Sequence, residues 1–118
     1  MIKGIGLDIV EIERIQRLEE RSPKFSRRIL TEQEQILYSN YTAYRRTEFL
    51  SGRFSAKEAF SKALGTGIGD QCSFLDIEVL KGNNGEPKLM FKGEPVNGYV
   101  SITHTKTHAA AQVILLND

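Results

Sequence analysis

The sequence predicts an α+β fold in one domain spanning residues 1–118: an N-terminal strand and helices, a long central helix, and C-terminal antiparallel strands. Three observations predict it. The chain opens on a short run of branched apolar residues. Residues 48–65 are rich in good helix formers and close on Gly65-Thr66-Gly67, a C-terminal stop. From Phe74 onward, apolar and polar residues alternate between glycine, asparagine and proline turns.

With 118 residues and 40% hydrophobic content, the chain supports one core of modest size, which association between copies would reinforce. A net charge of +1 excludes a bulk electrostatic nucleic-acid binder, so any basic site must be found by position. The single Cys72 cannot form an intrachain disulfide, and no run approaches a membrane span. Asp8 and Glu11 interrupt any signal-like apolar region. A reducing, cytoplasmic setting without a membrane or nucleic-acid partner is expected.

Residues 2–10 read as a strand. Alternation puts Ile5, Leu7 and Ile9 on one face and Gly4, Gly6, Asp8 and Val10 on the other. Asp8 thus projects from a face cleared of bulk, which suits a metal ligand or a general base. Asp8-Ile9-Val10-Glu11 also reads as a capping box for the next helix, and this segment alone favours capping. Residues 11–21 place Ile12, Ile15 and Leu18 at helical spacing, with Arg14, Arg17 and Arg21 on a common side and Arg27 and Arg28 beyond Ser22-Pro23. Interleaved Glu13, Glu19 and Glu20 fit a solvated face. Clustered arginines also fit docking of an acidic partner. The aromatic residues expected of a single-strand nucleic-acid binder are missing.

Thr31-Glu32-Gln33-Glu34 starts a short helix, with threonine as cap, acids suited to the N-terminal dipole, and an apolar contact from Ile36-Leu37. Asn40 to Thr42 break it before the long helix begins near Ala43. At 100° per residue, Phe49, Leu50, Phe54, Phe60 and Leu64 form a broad apolar arc with Ala56, Ala59 and Ala63 beside it. Arg53 and Lys57 fall inside that arc, where a solvated charge is out of place: either an anion meets them there or their long side chains snorkel out of the arc. Glu58 and Lys62 share a polar stripe with Ser51 and Ser55, and from the helix alone read as a surface ion pair. Gly65-Thr66-Gly67-Ile68-Gly69 is not a phosphate loop, because it follows a helix, whose C-terminal end is negative, instead of preceding one.

In the second half, residues 74–80 read as a strand, Gly82 to Gly85 as a turn and residues 87–91 as the returning strand. Turns follow at Gly93 to Pro95 and at Asn97-Gly98. Residues 99–104 and 108–116 form the closing strands, with Val100, Ile102 and His104 on one side and Ser101, Thr103 and Thr105 on the other. By itself His104 reads as a structural hydrogen-bonder, and His104 with His108 makes no zinc site without further ligands.

Taken together, two carboxylates, several cations on one helix and a histidine beside hydroxyl-rich residues suggest phosphoryl-type transfer. Magnesium is commonly held by one or two carboxylates and completed by water and substrate phosphate.

The segments Gly4-Ile5-Gly6-Leu7-Asp8-Ile9-Val10-Glu11-Ile12, Gly52-Arg53-Phe54-Ser55-Ala56-Lys57-Glu58-Ala59-Phe60-Ser61-Lys62-Ala63-Leu64-Gly65-Thr66-Gly67 and Ser101-Ile102-Thr103-His104-Thr105 closely resemble the bacterial holo-acyl-carrier-protein synthases, the short 4'-phosphopantetheinyl transferases. The resemblance spans the chain in order, spacing and length. Leu7, Ser51, Ser55 and Thr103 depart from the usual residues, none at a metal-ligand position. The resemblance implies the 4'-phosphopantetheinyl transferase fold and a homotrimer with interfacial sites. It also implies transfer of 4'-phosphopantetheine from coenzyme A to a serine of apo acyl carrier protein, in support of fatty acid biosynthesis. On this resemblance Asp8 and Glu58 hold Mg2+, Glu58 and Lys62 are catalytic, and Arg53, Lys57, Lys62, Gly65, Thr66 and His104 bind coenzyme A. Arg14, Arg21 and Arg28 dock the carrier protein. A coenzyme A sensor without chemistry and an interaction domain that binds an acidic protein are the rival classes.

Overall fold

The computed structural model describes residues 1–117. Strand β1 (Ile2–Glu11) runs straight into helix α1 (Ile12–Arg21), so strand and helix meet one residue later than the sequence predicts. A short helix α2 (Lys24–Ile29), not foreseen in the sequence, follows Pro23. Six residues are too few to show a period; burial of Ser26 and Ile29 secures it. In α3 (Glu32–Asn40), Thr31 caps the helix as predicted, and the structure adds the reciprocal bond from Glu34 that completes a capping box.

Helix α4 (Ala43–Leu64) ends where predicted. Gly65 adopts φ 93°, and its N–H donates to the Ser61 carbonyl while Gly67 N–H does the same. Only a residue without Cβ takes that backbone turn cheaply.

The strand expected over residues 74–80 is shorter. Phe74–Asp76 form a single 3-10 turn capped by Ser73, and β2 (Ile77–Lys81) begins after it. Strands β3 (Pro87–Phe91), β4 (Glu94–Pro95), β5 (Gly98–His104) and β6 (His108–Leu116) complete the chain. They form two antiparallel sheets, ordered β1-β6-β5 and β2-β3-β4.

Helix α4 lies across the first sheet, and two glycines of β1 let it lie close. A Cβ on Gly4 would stand 2.1 Å from the Ala63 carbonyl oxygen, and one on Gly6 only 1.7 Å from that of Ala59. The face of β1 bearing Gly4, Gly6, Asp8 and Val10 is therefore the inner one. Ile5, Leu7 and Ile9 are left outside with Tyr99 of β5, Leu7 being 63% exposed. Ser51 and Ser55, expected on a polar surface stripe, are fully buried. Their hydroxyls donate to the carbonyls of Thr47 at 2.8 Å and Ala109 at 3.4 Å. Small hydroxyl residues allow close helix–sheet packing and still satisfy their own polar atoms.

One apolar cluster joins Ala59, Phe60 and Ala63 of α4 to Ile77, Val79 and Leu89 of the second sheet and to Ala111, Val113 and Leu115 of β6. Another joins Phe49 and Leu50 to Ile12, Ile15, Ile29 and Leu30. Helix α4 belongs to both, which makes it the axis of the molecule.

Candidate active site

Asp8 sits in β1 opposite Ala111, facing α4. The capping alternative is overturned: Glu11 is the residue preceding α1, and it makes no side-chain cap. Instead, Lys62 Nζ donates to Asp8 Oδ1 at 3.1 Å and to the Leu7 carbonyl at 3.1 Å. Lys62 keeps half its surface exposed, whereas the Asp8 side chain is only 13% exposed. The second carboxylate oxygen, Asp8 Oδ2, is buried without a hydrogen-bond partner.

Glu58 lies one helical turn before Lys62 on the same stripe. No ion pair joins the two among the described residues, because Lys62 reaches across to β1. Partial burial pushes the Glu58 carboxyl above its ordinary 4.5, the negative charge of Asp8 pushes it further, and Lys62 and Arg14 oppose the rise. Two acids, a lysine and an arginine thus share one electrostatic neighbourhood.

Such a pair, with one buried oxygen left unbonded, fits a hard divalent cation. No group of three or more His, Cys, Asp or Glu suited to a metal occurs among the described residues. Asp8 and Glu58 alone leave most coordination positions to water and phosphate, as magnesium prefers.

A second cluster lies on the other side of α4. A cleft of about 310 Å³ is lined by Arg45, Glu48, Arg53, Lys81, Gly85 and His104, among others. Arg53 is buried; its Nη2 donates to the Val79 carbonyl at 3.2 Å, its guanidinium stacks 4.3 Å from the Phe49 ring centroid, and its Nε has no partner. His104 Nδ1 stands 3.0 Å from Glu48 Oε2, and Glu48 Oε1 accepts from Arg45 Nη1 at 3.1 Å.

Lys57 does not join either cluster. Expected beside nucleotide phosphates, it is 0% exposed and donates to Glu34 Oε1 at 2.6 Å and to the Ile29 carbonyl at 2.6 Å. Glu34 accepts further from Thr31 N–H at 2.9 Å and Val79 N–H at 2.8 Å. The anion that the apolar arc called for is therefore an internal carboxylate. Burial still lowers the Lys57 ammonium below its usual range, with Glu34 opposing.

Gly65 and Thr66 are exposed at the end of α4, just past Lys62, and Thr66 Oγ1 donates to the Gly67 carbonyl at 2.8 Å. Arg14, Arg21 and Arg28 are all exposed. Arg14 is near enough to influence Glu58, so the arginine surface borders the acid pair.

The expected residues therefore fall into two groups within one chain. Asp8 pairs with Ala111 and His104 with Ala109 from opposite edges of β6, a separation of two strand spacings, about 10 Å. Sequence reasoning missed Glu34, Arg45, Glu48 and Lys81. The Arg45 and Glu48 spacing allows a helical ion pair, but nothing local links either residue to a histidine more than fifty positions away.

A family model for the 4'-phosphopantetheinyl transferase superfamily matches residues 4–114. A holo-(acyl-carrier-protein) synthase of Geobacillus sp. (strain WCH70) is 49% identical over 115 residues, covering 98% of this chain and 97% of that protein. The crystal structure of the Bacillus anthracis holo-(acyl-carrier-protein) synthase in complex with CoA (3',5'-ADP) superposes with TM-score 0.90 at 47% identity, over 100% of this chain and 99% of that one. The Helicobacter pylori synthase in complex with coenzyme A superposes with TM-score 0.82 at 33% identity, over 95% and 99% of the two chains.

Proposed function

The chain belongs to the 4'-phosphopantetheinyl transferase superfamily, among the holo-acyl-carrier-protein synthases, and from that premise we propose a magnesium-dependent transfer of 4'-phosphopantetheine from coenzyme A to a serine of apo acyl carrier protein. The observation that carries the chemistry is the Asp8 carboxylate, with one oxygen held by Lys62, the other buried and unbonded, and a charge that acts on Glu58.

In this reaction the serine oxygen bonds to the phosphorus that carries pantetheine. The bond from that phosphorus to the bridging oxygen breaks, and adenosine 3',5'-bisphosphate leaves with the electron pair. Asp8 and Glu58 would hold Mg2+, which when bound offsets negative charge on the pyrophosphate. Lys62, half exposed beside Asp8, offers its ammonium to the phosphate oxygens as charge develops there. Glu58, whose carboxyl is raised by burial, receives the serine proton through a water. Arg53 supplies positive charge, and His104 a ring N–H donor, to the nucleotide phosphates. Gly65 and Thr66 flank the pantetheine side, with open space beside Gly65. Lys57 acts from within, holding α3 and β2 against α4.

Because one copy separates Asp8 and Glu58 from Arg53 and His104, the site is completed between copies. The outer face of the first sheet, with Ile5, Leu7, Ile9 and Tyr99 exposed, is the surface that joins them into a trimer. Arg14, Arg21 and Arg28 dock the acidic carrier protein next to the acid pair. No helix among the described residues is long and apolar enough to cross a membrane. The setting is cytoplasmic, in fatty acid biosynthesis.

The test is one incubation of the protein with apo acyl carrier protein, coenzyme A and Mg2+, read by intact mass. A gain of one phosphopantetheine group that disappears with chelator is expected. An unmodified carrier protein that is merely retained would point to an interaction domain, and coenzyme A binding without modification to a sensor.

A further inference from the structure

A carboxylate lining a cleft that otherwise holds Arg45, Arg53 and Lys81 is out of character with an anion site. Glu48 is nevertheless there, only 10% exposed at its side chain, and each of its oxygens meets a different partner: Oε1 meets Arg45 at 3.1 Å and Oε2 meets His104 Nδ1 at 3.0 Å. Arg45 and Glu48 come from α4, Lys81 from β2 and His104 from β5, so Glu48 ties two elements of the cleft together. It adds a negative charge that by itself repels a phosphate. It also occupies one ring nitrogen of His104 and leaves Nε2 as the nitrogen available to a ligand. A histidine 47% exposed at the end of a strand gains direction from such an anchor.

We infer that Glu48 is a positioning residue for the nucleotide cleft: it holds His104, and with it Arg45, in the arrangement that receives the phosphates of coenzyme A. This rests on the proposed reading of that cleft as the nucleotide site. Glu48 touches no reacting atom, and its effect passes through His104.

The charge and the anchoring act in opposite directions on an anion, so the sign of the change separates them. The probe is adenosine 3',5'-bisphosphate, titrated calorimetrically into the full-length chain. Glu48→Ala is expected to weaken its binding about tenfold, the scale of one charge-assisted contact. KM for coenzyme A rises in step while kcat falls much less. Glu48→Gln, which keeps the shape and an acceptor, recovers most of the affinity and guards against a folding defect in the alanine variant. Placed on His104→Ala, the Glu48→Ala change has much less effect than on the wild type.

Tighter binding in both Glu48 variants would overturn the inference, leaving Glu48 a repulsive charge only. An unchanged affinity in Glu48→Ala would also overturn it, as would the same tenfold loss in both backgrounds. If His104→Ala by itself leaves bisphosphate binding untouched, the nucleotide reading of the cleft falls, and this inference with it. If only the Glu48 change is silent, the reading of the cleft survives.

Discussion

Replacing Lys57 by methionine tests the reassignment of this lysine from ligand binding to the interior. The side chain of Lys57 is fully enclosed, and among the described residues its ammonium is the sole countercharge in contact with the Glu34 carboxylate, at 2.6 Å. In Lys57→Met, Glu34 keeps two backbone donors, Thr31 N–H and Val79 N–H, but loses its ion pair, and the Ile29 carbonyl loses its lysine donor. Stranding a buried charge in this way costs about 3–5 kcal/mol. For a chain of 118 residues, an unfolding entropy of roughly 2.1 cal/mol/K per residue makes each kcal/mol worth about 4 °C, so the melting point falls by about 12–20 °C. The assay is thermal unfolding at fixed protein concentration, because association of copies would shift the midpoint. The double variant Glu34→Gln/Lys57→Met removes both charges and regains a substantial part of the loss. Coenzyme A affinity, measured well below the lowered midpoint, changes little. A Lys57→Met protein that melts within about 2 °C of wild type yet binds coenzyme A tenfold more weakly would refute this reasoning and restore Lys57 to the phosphates.

Four further outcomes follow from the geometry. Gly6→Ala drives a methyl group into the Ala59 carbonyl, so α4 must shift off β1. The cost is about 1–3 kcal/mol or more, seen as a lower urea midpoint and weaker magnesium binding; a midpoint equal to wild type would show that the contact yields freely. Glu58→Gln lowers turnover about a hundredfold, roughly 3 kcal/mol of transition-state stabilisation, but does not lower metal-free stability at neutral pH. The sign follows from the raised folded value: the unfolded state releases its proton first, so ionised Glu58 disfavours folding above 4.5, and glutamine removes that burden. For the same reason, magnesium affinity of the wild type weakens as pH falls through the raised value, and a melting point several degrees lower for the variant would contradict both. Arg14→Glu/Arg21→Glu raises KM for carrier protein far more than KM for coenzyme A, with weaker salt dependence; equal effects on both would remove this face from docking. Leu7→Glu, on the outer face of β1, yields smaller particles by sedimentation with loss of transfer, whereas an unchanged particle size places the subunit contact elsewhere.

Much of the fold is legible locally. The cap at Thr31, the stop at Gly65 and the alternation of β5 all depend on neighbours within a few positions, and each appears where expected. Helix α2 and the 3-10 turn before β2 do not, because short segments take their conformation from the surfaces they meet. Asp8, Glu58, Lys62 and His104 could be picked out as residues of the right chemistry, yet for each the structural reading was the favoured one until the motifs were taken together.

By itself, the sequence determined the order of the longer elements, the length of α4 and the set of charged residues available for phosphate chemistry, since these follow from composition and short-range spacing. Only the tertiary structure decided which charges face one another. Glu34 claims Lys57, Asp8 claims Lys62, and Glu48 claims His104, across 23, 54 and 56 positions of chain respectively. Helical angles predict that Arg53 and Lys57 lie on the same arc but not that one ends under a cleft and the other in the core. That difference is made by the strand and helix packed against each, whose arrival depends on burying apolar surface across the whole domain.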